Sequence, residues 1–450
     1  MKPNPKYLLI FLILLSSLSA DLKFSSSEVT TKGKEVELKG NVAIEHDFGT
    51  VYAQEATLTQ SEGESGLPFL NAMLNSSVEI QFATNQTLKS ETANIDFQKH
   101  EASMHSSKGK IIFSDPDTQI TIQSQSLKCE WEQEGSKPKL KRLYADESVQ
   151  ISLGSDIYIS ADDIEYTSSS SHQGVLKFGS LRKEKPCLIS IGDDLLKAKS
   201  ATIELGNDTI TLHRPIGKIA TTFIENLNTD EIYFTSKNLI LNRESGQISL
   251  SEQILVNGAD FGQLTSNETV TFNTEKIDEK ILFKGFCTKG ESFLATDQGM
   301  KISCDGEIEF DYENKKLVAG ANIKPILYQN GNIVIESNKM TLNKLKGAPE
   351  LICFSDHVHF LAGSMVGNSG FLNYHPQEHL LEFFSSDKEK VVFYNQDSDT
   401  KMCADGITIT YDPVTEENEI RGHGVVRITF DHTNQEQIIE VLNSCARHPF

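Results

Sequence analysis

The sequence contains no CxxC pair, and its seven cysteines, Cys129, Cys187, Cys287, Cys304, Cys353, Cys403 and Cys445, are odd in number and irregularly spaced. That excludes a disulfide framework and a cysteine-based zinc site. Proline is scarce at 12 in 450 residues. Basic charge is also short: 42 Lys and Arg against 63 Asp and Glu leave a formal charge of -21. A surface of that sign repels phosphate backbones, so no nucleic acid partner is expected.

Catalytic signatures are missing as well. There is no GxSxG, HExxH, P-loop or dinucleotide fingerprint. Asp162 with Asp163, and Asp193 with Asp194, are adjacent pairs that point to opposite faces of an extended strand, whereas paired-carboxylate catalysis needs convergence. His357 and His359 share a strand face beside Asp356, and His375 and His379 frame a turn, but neither pair has a third ligand in register. The expectation is no enzyme, no metal and no cofactor.

Long apolar runs are absent except near the start. Lys2 and Lys6 precede an apolar run from Tyr7 to Leu15, extending to Leu18, and small residues follow through Ala20. This layout predicts a signal peptide over 1–20. The run falls short of the roughly 20 apolar residues of a spanning helix, so an exported, periplasmic protein is expected, with an uncleaved inner-membrane anchor as the alternative.

What is present is alternation. Val36, Leu38, Val42 and Ile44 alternate with polar or small residues, which predicts a strand with one apolar face. A turn at 46–49 leads into Val51 and Ala53, after which the inward candidates Ala56 and Leu58 are out of phase. A bulge or corner is therefore predicted between Ala53 and Ala56. Val36, Leu38, Val42, Ile44, Val51, Ala53 and Leu58 form the candidate apolar lining.

The corner residue recurs as Ala53, Ser90, Ser124, Ala161, Ala198, Ser236, Ser266, Cys304, Ser337, Gly367 and Ala404, eleven small residues spaced 30 to 38 apart. An apolar residue stands two places before each, from Val51 and Leu88 to Met365 and Met402. Nine passes keep a small or apolar pair three and five places after; those at Ser266 and Cys304 offer Thr269 with Thr271, and Glu307 with Glu309. Cys129 and Cys304 fall on inward positions. A period of this size marks a stacked repeat fold.

The predicted organisation is a signal peptide (1–20), a continuous repeat body (21–432) and a C-terminal cap or tail (433–450). Segments 61–77 and 131–142 read as surface excursions because Gly, Ser and Pro interrupt the rhythm. Thr433 to Glu436 forms a capping box, and Ile438, Ile439, Leu442 and Cys445 recur at helical spacing, predicting a short amphipathic helix that covers the last sheet edge. The fold class expected is all-β: an elongated body of two facing antiparallel sheets with that short helix.

The wording of Leu38 to Leu58, LKGNVAIEHDFGTVYAQEATL, with echoes at 159–166 and 403–412, resembles the OstA/LptA-like family of periplasmic lipopolysaccharide-transport proteins. The resemblance implies a β-jellyroll whose apolar groove holds acyl chains while the sugar stays outside. It further implies lipopolysaccharide or a similar envelope lipid as ligand, inner- and outer-membrane transport components as partners, and end-to-end self-association. The chain is longer than a typical bridge protein of that family, and the corner Asp is replaced by Gln54, Glu91 or Lys199. A lining of packed residues without ligand, as in a structural or adhesive β-solenoid, is the alternative; a polysaccharide-active enzyme comes third.

Overall fold

The computed structural model describes residues 22–60, 69–107, 109–134, 137–168, 174–179, 185–192, 194–219, 232–277, 280–345, 349–387, 390–411 and 418–430. The predicted signal peptide and C-terminal helix lie outside them. Every described element is a strand, forty in all. The chain divides into two compact units, Met1–Gly192 with Lys197–Thr209, and Asp193–Leu196 with Ile210–Phe450.

In the first unit, Glu35–His46, Gly49–Gln60, Phe69–Phe82, Thr87–Asp96, Lys137–Leu153 and Ile157–Thr167 are long strands that bend midway. Their two halves belong to two antiparallel ladders. One ladder carries Ile111–Asp115, Ile120–Ser124 and Cys187–Ile191, and the other carries Glu101–His105, Ser126–Glu134 and Val175–Phe178. Inward side chains of both halves are apolar and buried, so the ladders face each other across a common interior.

The second unit also carries two antiparallel ladders, built mostly of short strands. One ladder runs through Ile232–Thr235, Ile254–Gly258, Gly262–Ser266, Ser292–Ala295, Lys301–Cys304, Ile326–Asn330 and Ile333–Ser337. The other runs through Asn238–Asn242, Ile248–Ser251, Thr269–Ile277, Lys280–Lys289, Glu307–Asp311, Lys316–Gly320 and Lys339–Asn343. Leu351–Ala362 and Met365–His375 are again long, bent and shared.

The corner has a definite chemistry. On one strand two inward residues stand three apart with two outward residues between them, as in Ala53 and Ala56 around Gln54 and Glu55. The facing strand inserts an extra residue: Gly40 and Asn41 lie opposite Gln54 alone. Both have left-handed backbone, with φ of 75° and 49°. The same doublet returns at Ser76–Ser77, Glu147–Ser148 and Asp356–His357, each opposite one residue of the partner strand. Here side chains other than glycine occupy the left-handed region, which bulges tolerate.

Serine suits the corner because its hydroxyl can satisfy itself locally. Ser90, Ser124, Ser236, Ser337 and Ser369 each donate to the carbonyl oxygen two residues on, at 2.8 to 3.0 Å. A buried hydroxyl without such a bond is costly.

All eleven small residues of the periodic reading are buried, as are the eleven apolar residues two places before them. The register needs three corrections. The tenth corner is Ser369, two places beyond Gly367, because Val358 pairs with Ser369 and the next inward residue is Leu372. Gly367 is small for another reason: the Phe360 ring lies over it, and a Cβ there would come within 2.3 Å of that ring. At Ser266 and Cys304 the corner holds one more residue, so Val270 with Phe272 and Ile308 with Phe310 turn inward in place of the polar pairs.

The two supposed excursions are largely strand. Phe69–Phe82 begins inside the first, with Phe69, Ala72 and Leu74 inward, and Trp131 is a buried member of Ser126–Glu134. Alternation outweighed turn composition in both. Residues 61–68 and 135–136 lie outside the described residues.

Candidate functional site

The seven candidate lining residues come together. Val36 pairs with Leu58, Leu38 with Ala56, Val42 with Ala53, and Ile44 with Val51, in direct register across two neighbouring strands. All seven point inward, and none is more than 5% exposed. The next two strands extend the lining with Ala72, Leu74, Val78, Ile80, Leu88, Ala93 and Ile95. Over these four strands the interior is therefore small and aliphatic, and aromatic rings occur only at strand ends and turns, as Phe48, Phe69, Phe82 and Phe97. Each such side chain contributes roughly 25 cal/mol per Å² of apolar surface kept from water.

The second unit differs. Phe261, Phe272, Phe283, Phe286, Phe310, Tyr328, Phe354, Phe360 and Phe383 are all buried there. Rings from opposite ladders touch, with Phe360 and Phe383 4.2 Å apart and Tyr328 and Phe354 5.3 Å apart between centroids. That interior is filled by side chains.

Opposite the corner, hairpin tips of the two ladders approach one another and form a seam. In the first unit it is shut by an aromatic cluster that the sequence reading missed. Phe48, in the turn after Glu35–His46, lies 4.5 Å from Trp131 of the other ladder, and His46 lies 5.2 Å from Phe97. Burial lowers the pKa of His46 below its ordinary 6.5; Asp47 acts the other way and His100 reinforces the lowering. The available signal was an aromatic residue inside a turn, where polar residues are usual.

Further along the same seam is a cleft of about 300 Å³ whose lining includes Gln86, Asp115, Thr118, Lys139 and Tyr166. Gln86 Nε2 donates to Asp115 Oδ2 at 3.0 Å, and the Tyr166 hydroxyl donates to the same oxygen at 3.2 Å. Asp115 Oδ1 accepts the backbone N–H of Asp117. Burial, then the neighbouring Asp115 carboxylate, raises the Tyr166 pKa, so the phenol stays protonated. This network ties one ladder's tips to the other.

In the second unit Lys315 bridges the seam, 3.1 Å from Asp260 and 3.3 Å above the Tyr312 ring. A larger cleft of about 740 Å³ lies where the long corners fall, lined among others by Asn267, Glu291, Phe293, Asp305 and Lys324. Asp305 accepts the backbone N–H groups of Asn322, Ile323 and Lys324; partial burial pushes its pKa up, and these donors outweigh it and hold it below the ordinary value. None of the seven lining candidates borders either cleft.

The remaining sequence candidates are dispersed. His357 belongs to a left-handed doublet and is exposed, and His359 follows it on the outward side, between inward Val358 and Phe360. His375 meets Glu382 at 3.3 Å, and His379 packs edge-on to Tyr411. Asp163 is buried while Asp162 is half-buried beside it. Among the described residues no group of three potential ligands is placed to hold a metal ion. Cys129 and Cys304 are buried and unpaired by disulfide, and burial pushes the Cys129 thiol up to about 12.

Neither a scan against protein-family models nor a search of curated proteins finds a match for this chain.

Proposed function

We propose that the chain is a periplasmic lipid-binding scaffold that carries lipopolysaccharide, or an envelope lipid like it, towards the outer membrane, its acyl chains held between the two ladders. The single observation behind this reading is the aliphatic lining of the first four long strands, where Val36, Leu38, Val42, Ile44, Val51, Ala53 and Leu58 face one another without an intervening ring. Such a surface takes up alkyl chains by area alone and needs no fixed polar constellation. The reading includes a repeat-built β-jellyroll of the OstA/LptA-like kind, which the wording at Leu38 to Leu58 resembles, and partners at each end in the inner and outer membranes. The seven residues are closed to water, so lipid entry requires the aromatic seam at Phe48 and Trp131 to part.

The second reading is a structural β-solenoid of the envelope. What favours it is the ring-filled interior of the second unit.

A photo-crosslinking residue at buried Ile44 and another at exposed Glu45 separate the two. An adduct with lipopolysaccharide in living cells at position 44 alone supports the scaffold. Equal labelling at both positions, or none at either, sinks it.

A further inference from the structure

The cleft of about 300 Å³ on the seam of the first unit holds more polar groups than its cross-seam contacts use. Among the described residues that line it, every one except Gly174 carries a hydrogen-bonding side chain. Ligand pockets are ordinarily apolar with a few polar anchors. A cleft lined the other way suits a ligand that is polar all round, and its volume lies at the small end of the roughly 300–1,000 Å³ usual for pockets, room for a single ring.

The polar groups are held in place before any ligand arrives. Thr84 Oγ1 donates to Gln86 Oε1 at 2.7 Å, which turns the amide so that Nε2 donates to Asp115. Gln86 and Asp115 are 7% and 3% exposed. The Tyr166 ring lies against Gly174, where a Cβ would come within 2.7 Å of it. Gln86, Asp115 and Tyr166 account for the tie across the seam. They leave other groups over. Gln86 keeps a second N–H on the same nitrogen. Thr118 Oγ1, near the Tyr166 hydroxyl, is buried and reaches no partner in full hydrogen-bond geometry. A buried hydroxyl left so is costly unless something meets it. Asp117, Lys139 and Ser168 add a carboxylate, an ammonium and a hydroxyl to the same walls.

We propose that this cleft binds one neutral sugar ring through its hydroxyls. A sugar hydroxyl both donates and accepts, and the lining interleaves donors at Gln86 and Lys139, an acceptor at Asp117, and groups that do either at Thr118 and Ser168. Two carboxylates against one ammonium disfavour a phosphate in the same place. The aliphatic residues around Ile44 take no part in the cleft, so the inference does not rest on lipid binding.

The test uses the full chain with D-glucose, D-galactose, D-mannose and N-acetyl-D-glucosamine, each compared with its 6-phosphate. Saturation-transfer NMR measures binding, and hydrogen exchange of the peptides spanning 84–87 and 115–120 locates it. At least one neutral sugar is expected to bind with a Kd on the order of 1 mM or tighter and to protect both peptides, and its 6-phosphate to bind at least about tenfold more weakly. Thr118→Val removes a hydroxyl without a partner in the chain, so the fold should hold while affinity for the sugar falls about tenfold. If circular dichroism shows that variant unfolded, Ser168→Ala takes its place. Asp117→Asn should narrow the gap between sugar and phosphate. The octyl glycoside of the best sugar, kept below its micelle concentration, separates the sources: equal binding assigns a free or glycan-terminal sugar, tighter binding a lipid-borne one, and both support the cleft. No binding by any of the four sugars, a 6-phosphate that binds as tightly as its parent, protection confined to other peptides, or unchanged affinity in the folded variant would each overturn the proposal.

Discussion

Phe48 and Trp131 sit with ring centroids 4.5 Å apart and tilted by 40°, one from a hairpin turn of the first ladder and one from a strand of the second. Trp131 is the chain's single tryptophan, so it reports on the seam without labelling.

Removing that contact should loosen the first unit. Trp131→Ala or Phe48→Ala is expected to destabilise it by about 3–5 kcal/mol, the range for large aromatic truncations in a core. Urea denaturation followed by circular dichroism measures the loss. A change below about 1 kcal/mol would show that the seam is not closed by these rings in solution.

If lipid enters between Phe48 and Trp131, the indole leaves its buried position. The tryptophan emission, blue-shifted while the ring is buried, should move to longer wavelength on adding lipopolysaccharide. A constant spectrum during proven binding would place the entry elsewhere.

Stability should depend on pH through His46. Its folded pKa lies below the ordinary 6.5, so the unfolded chain binds the proton more readily and stability falls as pH drops from 6.5 through the lower folded value. The contribution is intact above 6.5. His46→Gln should flatten this part of the profile, with Asp47 and His100 left as they are; an unchanged slope in the variant would assign it to other groups.

Gly49 has φ of 145°, and a Cβ there would meet the Gln81 carbonyl oxygen at 2.0 Å. Gly49→Ala should therefore cost at least about 2 kcal/mol, as backbone strain and steric overlap combine. Gly320→Ala, where no atom lies within 4 Å and φ is not left-handed, serves as the mild comparison in the same thermal melts.

Cys129, with its thiol pushed up to about 12 by burial, should resist alkylation at pH 8 in the folded chain and react once urea unfolds it. Fast labelling under native conditions would contradict its inward position.

The all-β class and the inward residues were legible because burial follows a period of two, and small corner residues break that period visibly at Ala53, Ser90 and Ala161. The facing bulge was hidden: Ser76–Ser77, Glu147–Ser148 and Asp356–His357 adopt left-handed backbone without the glycine that would announce it. Trp131 and Phe69 were misplaced because nearby Gly, Ser and Pro outvoted their alternation. The lining at Val36 to Leu58 could be read from the sequence, but the rings that shut it could not. Phe48 meets Trp131, and His46 meets Phe97, only through the facing of two ladders, a relation between residues far apart in the chain.

The corner serines have a consequence for how such a chain can change. Ser90, Ser124, Ser236, Ser337 and Ser369 each direct the hydroxyl to an oxygen two places along their own backbone, so these five bends borrow no polar partner from the next, whereas Ser266 donates to the Lys289 carbonyl of another strand. A strand pair bearing its own bend can be gained or lost without orphaning a buried group in its neighbours. Chain length can thus drift in whole turns where the bend is of this self-contained kind, and less freely at Ser266 and Cys304, which draw on other strands.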